Sequence, residues 1–158
     1  MSALVIAAPG TSTVGLVIEE SLMGTWSTEP FGNDSANDWA YDLNDQQDFS
    51  LVAQAIRKIL ENETACINAD DAVEAIAAAE VLAKALGRGT QDDAFTEKVD
   101  TWLQSISIKP SSRLLSRAQG ALTLILGPNS ELRQLWEESD HFEEWVSTIK
   151  ALRTALCS

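Results

Sequence analysis

Asp71-Ala72-Val73-Glu74-Ala75-Ile76-Ala77-Ala78-Ala79-Glu80-Val81-Leu82-Ala83-Lys84-Ala85-Leu86-Gly87 is the stretch from which the fold of this chain is read. Asp71 followed three residues later by Glu74 has the form of a capping box, in which each side chain answers an otherwise unbonded amide of the first turn. Ala75 to Leu86 is almost all strong helix formers, which lose little side-chain freedom in a helix. Gly87 suits the left-handed residue that closes such a helix. This segment is therefore expected to form a helix, the clearest helical signal in the chain, and points to an all-α fold.

Outward from it the same period recurs. Asn33 and Asp34 can cap a helix with Ala36, Trp39, Ala40 and Leu43 as its apolar stripe. Leu51, Val52, Ala55, Ile56, Ile59 and Leu60 mark a second from about 50 to 61. Beyond Gly87, one helix is expected over roughly 92 to 105, with Phe95, Val99, Trp102 and Leu103. Pro110 suits the first turn of the next, which ends at Gly127-Pro128. Asn129 and Ser130 cap a short helix to about Glu138, and Asp140 with Glu143 offers a capping box for the last. The connections are short, so successive helices are expected as antiparallel neighbours. The fold class is thus all-α, a compact array of six or seven short helices. Residues 1–22 read differently: Leu4-Val5-Ile6 and Leu16-Val17-Ile18 flank a Pro9-Gly10 turn, giving either a small β-hairpin or a loose leader. Met23 opens the domain proper, so residues 23–158 are expected as a single helical domain.

Composition narrows the function classes. The chain has 158 residues, 45% hydrophobic and 22% charged, enough for one domain with its own core. Eleven Lys and Arg face 24 Asp and Glu, a net charge of −13, and no basic residue precedes Arg57. Such a surface repels phosphate, so nucleic acid and anionic membranes are excluded as partners, while basic proteins and divalent cations are attracted. Plain solubility is the simplest use of the charge. Cys66 and Cys157 are too far apart for a CxxC motif and read as free thiols. With no basic n-region before the short apolar stretch Ala3–Ala8, a cytoplasmic location is expected.

Three segments carry a resemblance. Met23-Gly24-Thr25-Trp26 with Phe31-Gly32-Asn33-Asp34-Ser35-Ala36-Asn37-Asp38-Trp39, the run Ala75-Ile76-Ala77-Ala78-Ala79-Glu80-Val81, and Asn129-Ser130-Glu131-Leu132-Arg133-Gln134-Leu135-Trp136-Glu137-Glu138 occur in this order. Together they are similar to the bacterial family called domain of unknown function 4259. The resemblance implies a small helical domain beginning near Met23, leaves residues 1–22 outside the family pattern, and carries no activity.

Two functional readings follow from the residues. In the first, Trp26, Phe31, Asn33, Asp34, Asp38, Trp39, Trp136 and Glu137 form an acidic and aromatic surface for a basic protein partner, in the manner of an immunity protein or antitoxin by analogy of size and charge. No cofactor is needed for it. In the second, Asp34 and Asp38 at i and i+4 on one helix face join Glu80 to hold a divalent cation in a hydrolase or a metal-binding protein. A partly buried Glu80 could equally meet a Trp indole N–H or the loop amides near Trp26. Plainer alternatives stand beside both readings: a solvated acidic ridge, a Glu80–Lys84 pair at i, i+4, and tryptophans buried between helices. His141 is the single histidine, and no orienting group is suggested for a pair with either cysteine. No HExxH, P-loop, GxSxG or dinucleotide glycine pattern is present, so the reading leans away from an enzyme. The oligomeric state is left open.

Overall fold

The computed structural model describes residues 28–62, 66–93 and 96–157. Within them the chain forms seven α-helices: α1 Asp34–Asp42, α2 Ser50–Leu60, α3 Ala69–Ala85, α4 Glu97–Ile106, α5 Ser112–Ile125, α6 Glu131–Glu137 and α7 Phe142–Ala155. A 3₁₀ turn, Leu43–Asp45, follows α1. Among the described residues the sole β pairing is an isolated parallel bridge between Ile67 and Ser130. The expected β element at residues 1–22 lies outside the described residues.

The quoted stretch is the axis of the molecule. Helix α3 touches every other helix, and 12 of its 17 residues are buried. Ala75, Ala77, Ala78 and Ala79 are each 0% exposed. Successive residues point about 100° apart round a helix, so burial at 77, 78 and 79 already covers most of the circumference. Alanine is what makes this possible, because no side chain beyond Cβ holds the neighbours away. Around this axis α2 packs on α5, α5 on α7, and α6 on α7. The neighbour expectation holds for α2 with α3 and α6 with α7 and gives way at others. α1 with α2, α4 with α5 and α5 with α6 are consecutive yet make little contact, α1 and α4 packing on α3 and α5 on α2 and α3.

Helix ends follow local chemistry with four corrections. Asn33 caps α1, its side chain accepting from the Ala36 amide, and Ser130 caps α6 by accepting from the Arg133 amide. For α3 the cap is Asn68 rather than Asp71, its oxygen accepting from the amides of Asp70 and Asp71. Ile67 bonds to Asn129 and Glu131 across the bridge, and the Glu131 carboxylate takes the Ala69 amide, so tertiary contacts start the helix three residues early. Helix α4 begins at Glu97, not near Asp92, because Asp93 and Thr96 bond one another in a turn. Phe95 lies outside the described residues. Ser111, not Pro110, governs the start of α5 by accepting from the Leu114 amide. At α7 the cap position falls on His141, which makes no side-chain cap bond, so the Asp140–Glu143 box is not formed.

The close of α3 is as expected. Gly87 has φ of 77°, the Arg88 amide donates to the Ala83 carbonyl, and the Gly87 amide donates to that of Lys84. This is the double bond of a Schellman end, in which glycine takes the left-handed conformation without a Cβ clash. Among the described residues no helix is long and apolar enough to cross a membrane.

Candidate acidic binding surface

Of the eight residues expected to form a binding surface, the acidic ones are at the surface and most of the aromatic ones are not. Asp34 and Asp38 lie exposed on α1 beside Asp42. Glu137 is exposed on α6, 3.6 Å from Arg133. Asn33 is half-buried, with its side chain spent on the α1 cap. Phe31 is 0% exposed, Trp39 6% and Trp136 3%. These three are core residues, a correction to the surface role expected of them. The reason is area: an aromatic ring on an amphipathic stripe gains more by burial than by presentation to solvent. Trp136 stacks on Trp145 with centroids 6.3 Å apart and planes 12° from parallel, and Phe142 continues the stack at 6.2 Å. Trp26 lies outside the described residues.

A small cleft opens where the loop 28–33 meets α3, α6 and α7. It encloses about 280 Å³ counting its open mouth. Val73, Ile76, Leu132, Trp136 and Trp145 line its apolar part, and Thr28, Glu29, Pro30 and Asn33 its loop side. The Thr28 hydroxyl donates to Glu144 at 3.0 Å, which fastens the loop to α7. Glu144 also lies 3.5 Å from His141. Glu137, Glu138, Asp140, Glu143 and Glu144 are all exposed at the turn between α6 and α7, and Glu29 is exposed across the cleft. Its enclosed space is only about 20 Å³, room for about one water molecule, so it is a shallow depression and not a small-molecule pocket.

Glu80 belongs elsewhere. It is 0% exposed on α3, yet its carboxylate is fully engaged. Oε2 accepts from the backbone amides of Thr90 at 2.8 Å and Gln91 at 2.9 Å, and Oε1 accepts from the Thr90 hydroxyl at 2.7 Å. Burial pushes its pKa above the ordinary carboxylate value, while these bonds and the Lys84 charge oppose the shift. The expected Glu80–Lys84 pair gives way to another: the Lys84 ammonium donates to Asp100 at 3.0 Å. Gly89 lies so close above this pair that a Cβ there would come within 2.5 Å of the Lys84 Cγ and 3.1 Å of Glu80 Oε2.

The cation reading needed Glu80 to share a cavity with Asp34 and Asp38. The fold instead places Glu80 under the 88–91 loop, with both oxygens already bonded, and the two aspartates on the open face of α1. Among the described residues no group of three His, Cys, Asp or Glu side chains is arranged to hold a metal ion. His141 faces Glu144; the Cys157 thiol lies by the Gln119 side chain and the Cys66 thiol by its neighbour's carbonyl. Gln91 is the residue that sequence reasoning missed. It is 2% exposed, and its side-chain oxygen accepts from the Phe31 amide at 2.8 Å. A glutamine two residues beyond a glycine gives no periodic signal by which it could have been found.

The buried α3, the capped Asn33 opening and the Ser130–Glu137 segment are the parts of the chain that the resemblance rested on. A family model described as Domain of unknown function (DUF4259) matches residues 24–148. The chain belongs to the DUF4259 family. The match takes in all of α1 to α6 and the first half of α7, hence the axis helix, the Glu80 loop and the acidic cleft. No curated protein and no solved structure matches the chain.

Proposed function

We propose that this DUF4259 protein is a non-catalytic interaction module that binds a basic protein partner through the surface around the 28–33 cleft. One observation carries the reading. Glu137, Glu138, Asp140, Glu143 and Glu144 are exposed at the α6–α7 turn, Glu144 accepts from the Thr28 hydroxyl at the edge of the small apolar cleft, and exposed Glu29 lines it, with Arg133 and His141 the basic residues paired there. A basic side chain seated there would lay its apolar stem on the cleft and its charge against the carboxylates, and a long-range acidic field would speed the encounter. An immunity- or antitoxin-like role is one form of this, by analogy of size and charge. A bacterial cytoplasmic setting belongs to the same proposal, supported by two exposed cysteines, Cys66 and Cys157, that form no disulfide and suit a reducing compartment.

The test is a partner isolated by affinity capture, purified, and titrated by calorimetry against wild type and Glu137→Lys/Glu138→Lys. The proposal expects affinity to fall steeply with added salt and to be lost in the double variant, with its circular dichroism unchanged. Binding indifferent to both salt and charge reversal would end it.

A further inference from the structure

The loops 28–33 and 86–93 are far apart in sequence; the buried Phe31 ring anchors the first, whereas the second has little apolar area of its own. Gly87, Arg88, Gly89 and Thr90 are exposed. The second loop is held down by Glu80, through the three bonds to Thr90 and Gln91, and at Arg88, whose guanidinium donates to the carbonyls of Ala155 and Cys157. Those bonds fix the Gln91 backbone, and the Gln91 side chain then reaches the first loop. Its oxygen accepts from the Phe31 amide at 2.8 Å, while its nitrogen donates to Asp93 at 3.0 Å. Phe31 is fully buried, and its carbonyl accepts from the Asn37 side chain on α1. The flanking residues Glu29, Pro30 and Asn33 line the cleft.

We infer that Glu80, Gln91 and the Phe31 backbone form a latch that makes the two loops a single opening unit, so that the cleft wall is set from beneath by a carboxylate it never touches. A buried acceptor that loses its place leaves two amides and a hydroxyl without partners, and the second loop has little apolar area to hold it once they are released. Gln91 then no longer presents its oxygen to Phe31. The latch has a distinctive chemical tolerance. Both amide donors go to one oxygen, Oε2, and the other oxygen faces only a hydroxyl, which can accept as well as donate. A glutamine side chain can therefore replace Glu80, its oxygen taking the two amides and its NH₂ donating to the Thr90 hydroxyl. The inference stands apart from the partner proposed above, because it concerns the free protein.

Residue-resolved amide exchange by NMR tests it, with Thr90, Gln91 and Phe31 as reporters and Ile149, fully buried in α7, as the control. Glu80→Ala is expected to speed exchange at all three reporters about tenfold or more while Ile149 stays protected. Glu80→Gln is expected to restore wild-type protection at all three. Gln91→Ala is expected to release Phe31 while Thr90 remains slow, since the Glu80 bond to the Thr90 amide is untouched. Should Glu80→Ala fail to fold, the other two variants still decide. Phe31 protection unchanged in Gln91→Ala, release of Thr90 in Glu80→Gln, or uniform acceleration including Ile149 would each overturn the latch.

Discussion

Replacing Ala78 by leucine sets two effects against each other, and the sign of the outcome tests the reading of α3 as an axis packed on all sides. Alanine and leucine are both good helix formers, so the helix itself is nearly indifferent to the change. Leucine adds three carbons, and at about 0.8 kcal/mol per buried CH₂ their transfer from water alone would stabilise by roughly 2.4 kcal/mol. Ala78 is 0% exposed, however, and so are Ala77 and Ala79 on either side of it. The added carbons have no solvent side to turn to. Forcing methylenes into a filled core costs a net 1–3 kcal/mol or so, through off-rotamer side chains and displaced backbones. Overpacking is expected to win, lowering the thermal midpoint by roughly 2–12 °C for a chain of this size. The assay is thermal unfolding followed by circular dichroism and by tryptophan fluorescence. Ala151→Leu on the exposed side of α7 serves as the control and should move stability by less than about 0.5 kcal/mol. A midpoint for Ala78→Leu equal to or above wild type would refute the reasoning, because α3 would then have room that a helix buried on every face does not have.

Two further outcomes are expected. Asn68→Ala should cost about 1 kcal/mol by removing the acceptor for two first-turn amides, whereas Asp71→Ala should cost only a few tenths; equal costs in urea unfolding would return the cap to Asp71. Glu80→Gln should gain on wild type as pH rises. Burial raises the Glu80 pKa in the folded state above its unfolded value, so its favourable contribution is complete below about pH 4.5 and is lost as pH climbs through the raised folded value. The stability difference between variant and wild type should therefore grow in favour of glutamine between mildly acid and neutral pH, and a difference that shrinks over that range would show the hydrogen bonds to the carboxylate outweighing desolvation.

Much of this architecture is legible in the sequence where one local rule acts alone. The alanine run, the Gly87 close, the Asn33 and Ser130 caps and the stripe of α2 all form where the spacing puts them. The reading fails where several residues compete for one role. Asn68, Asp70 and Asp71 can each cap a helix, and the choice falls to Asn68 through Glu131 and the Ile67–Ser130 bridge, partners more than sixty residues away. Asp92 and Asp93 look like a helix start, but Gln91 and Thr96 draw Asp93 into a turn. The candidate site divides along the same line. Charges at exposed helix positions were placed correctly, since a carboxylate without a partner must face water. The aromatic members were not, because period alone cannot distinguish a ring at the edge of a stripe from one at its centre.

Glu80 joins these two failures. A helix buried all round has no solvent face on which to carry a charge, so an acid in the middle of the alanine run had to be a ligand for something. The sequence offered a cation, Lys84, an indole N–H or the loop amides near Trp26 as that partner. The fold supplies backbone amides from a different loop, whose own sequence, Gly87-Arg88-Gly89-Thr90, has almost nothing to bury. Gly89 completes the fit, since any larger residue would collide with Lys84 at the place where the loop crosses the carboxylate. A glycine-rich loop without apolar anchors gains its position from directed hydrogen bonds, and a buried carboxylate is the side chain that accepts several of them at once. The loop that it holds carries Gln91, and Gln91 holds the wall of the acidic cleft. The one internal acid of α3 thereby acts on the external ones through geometry, not through its charge, which is why it could not be assigned from charge patterning.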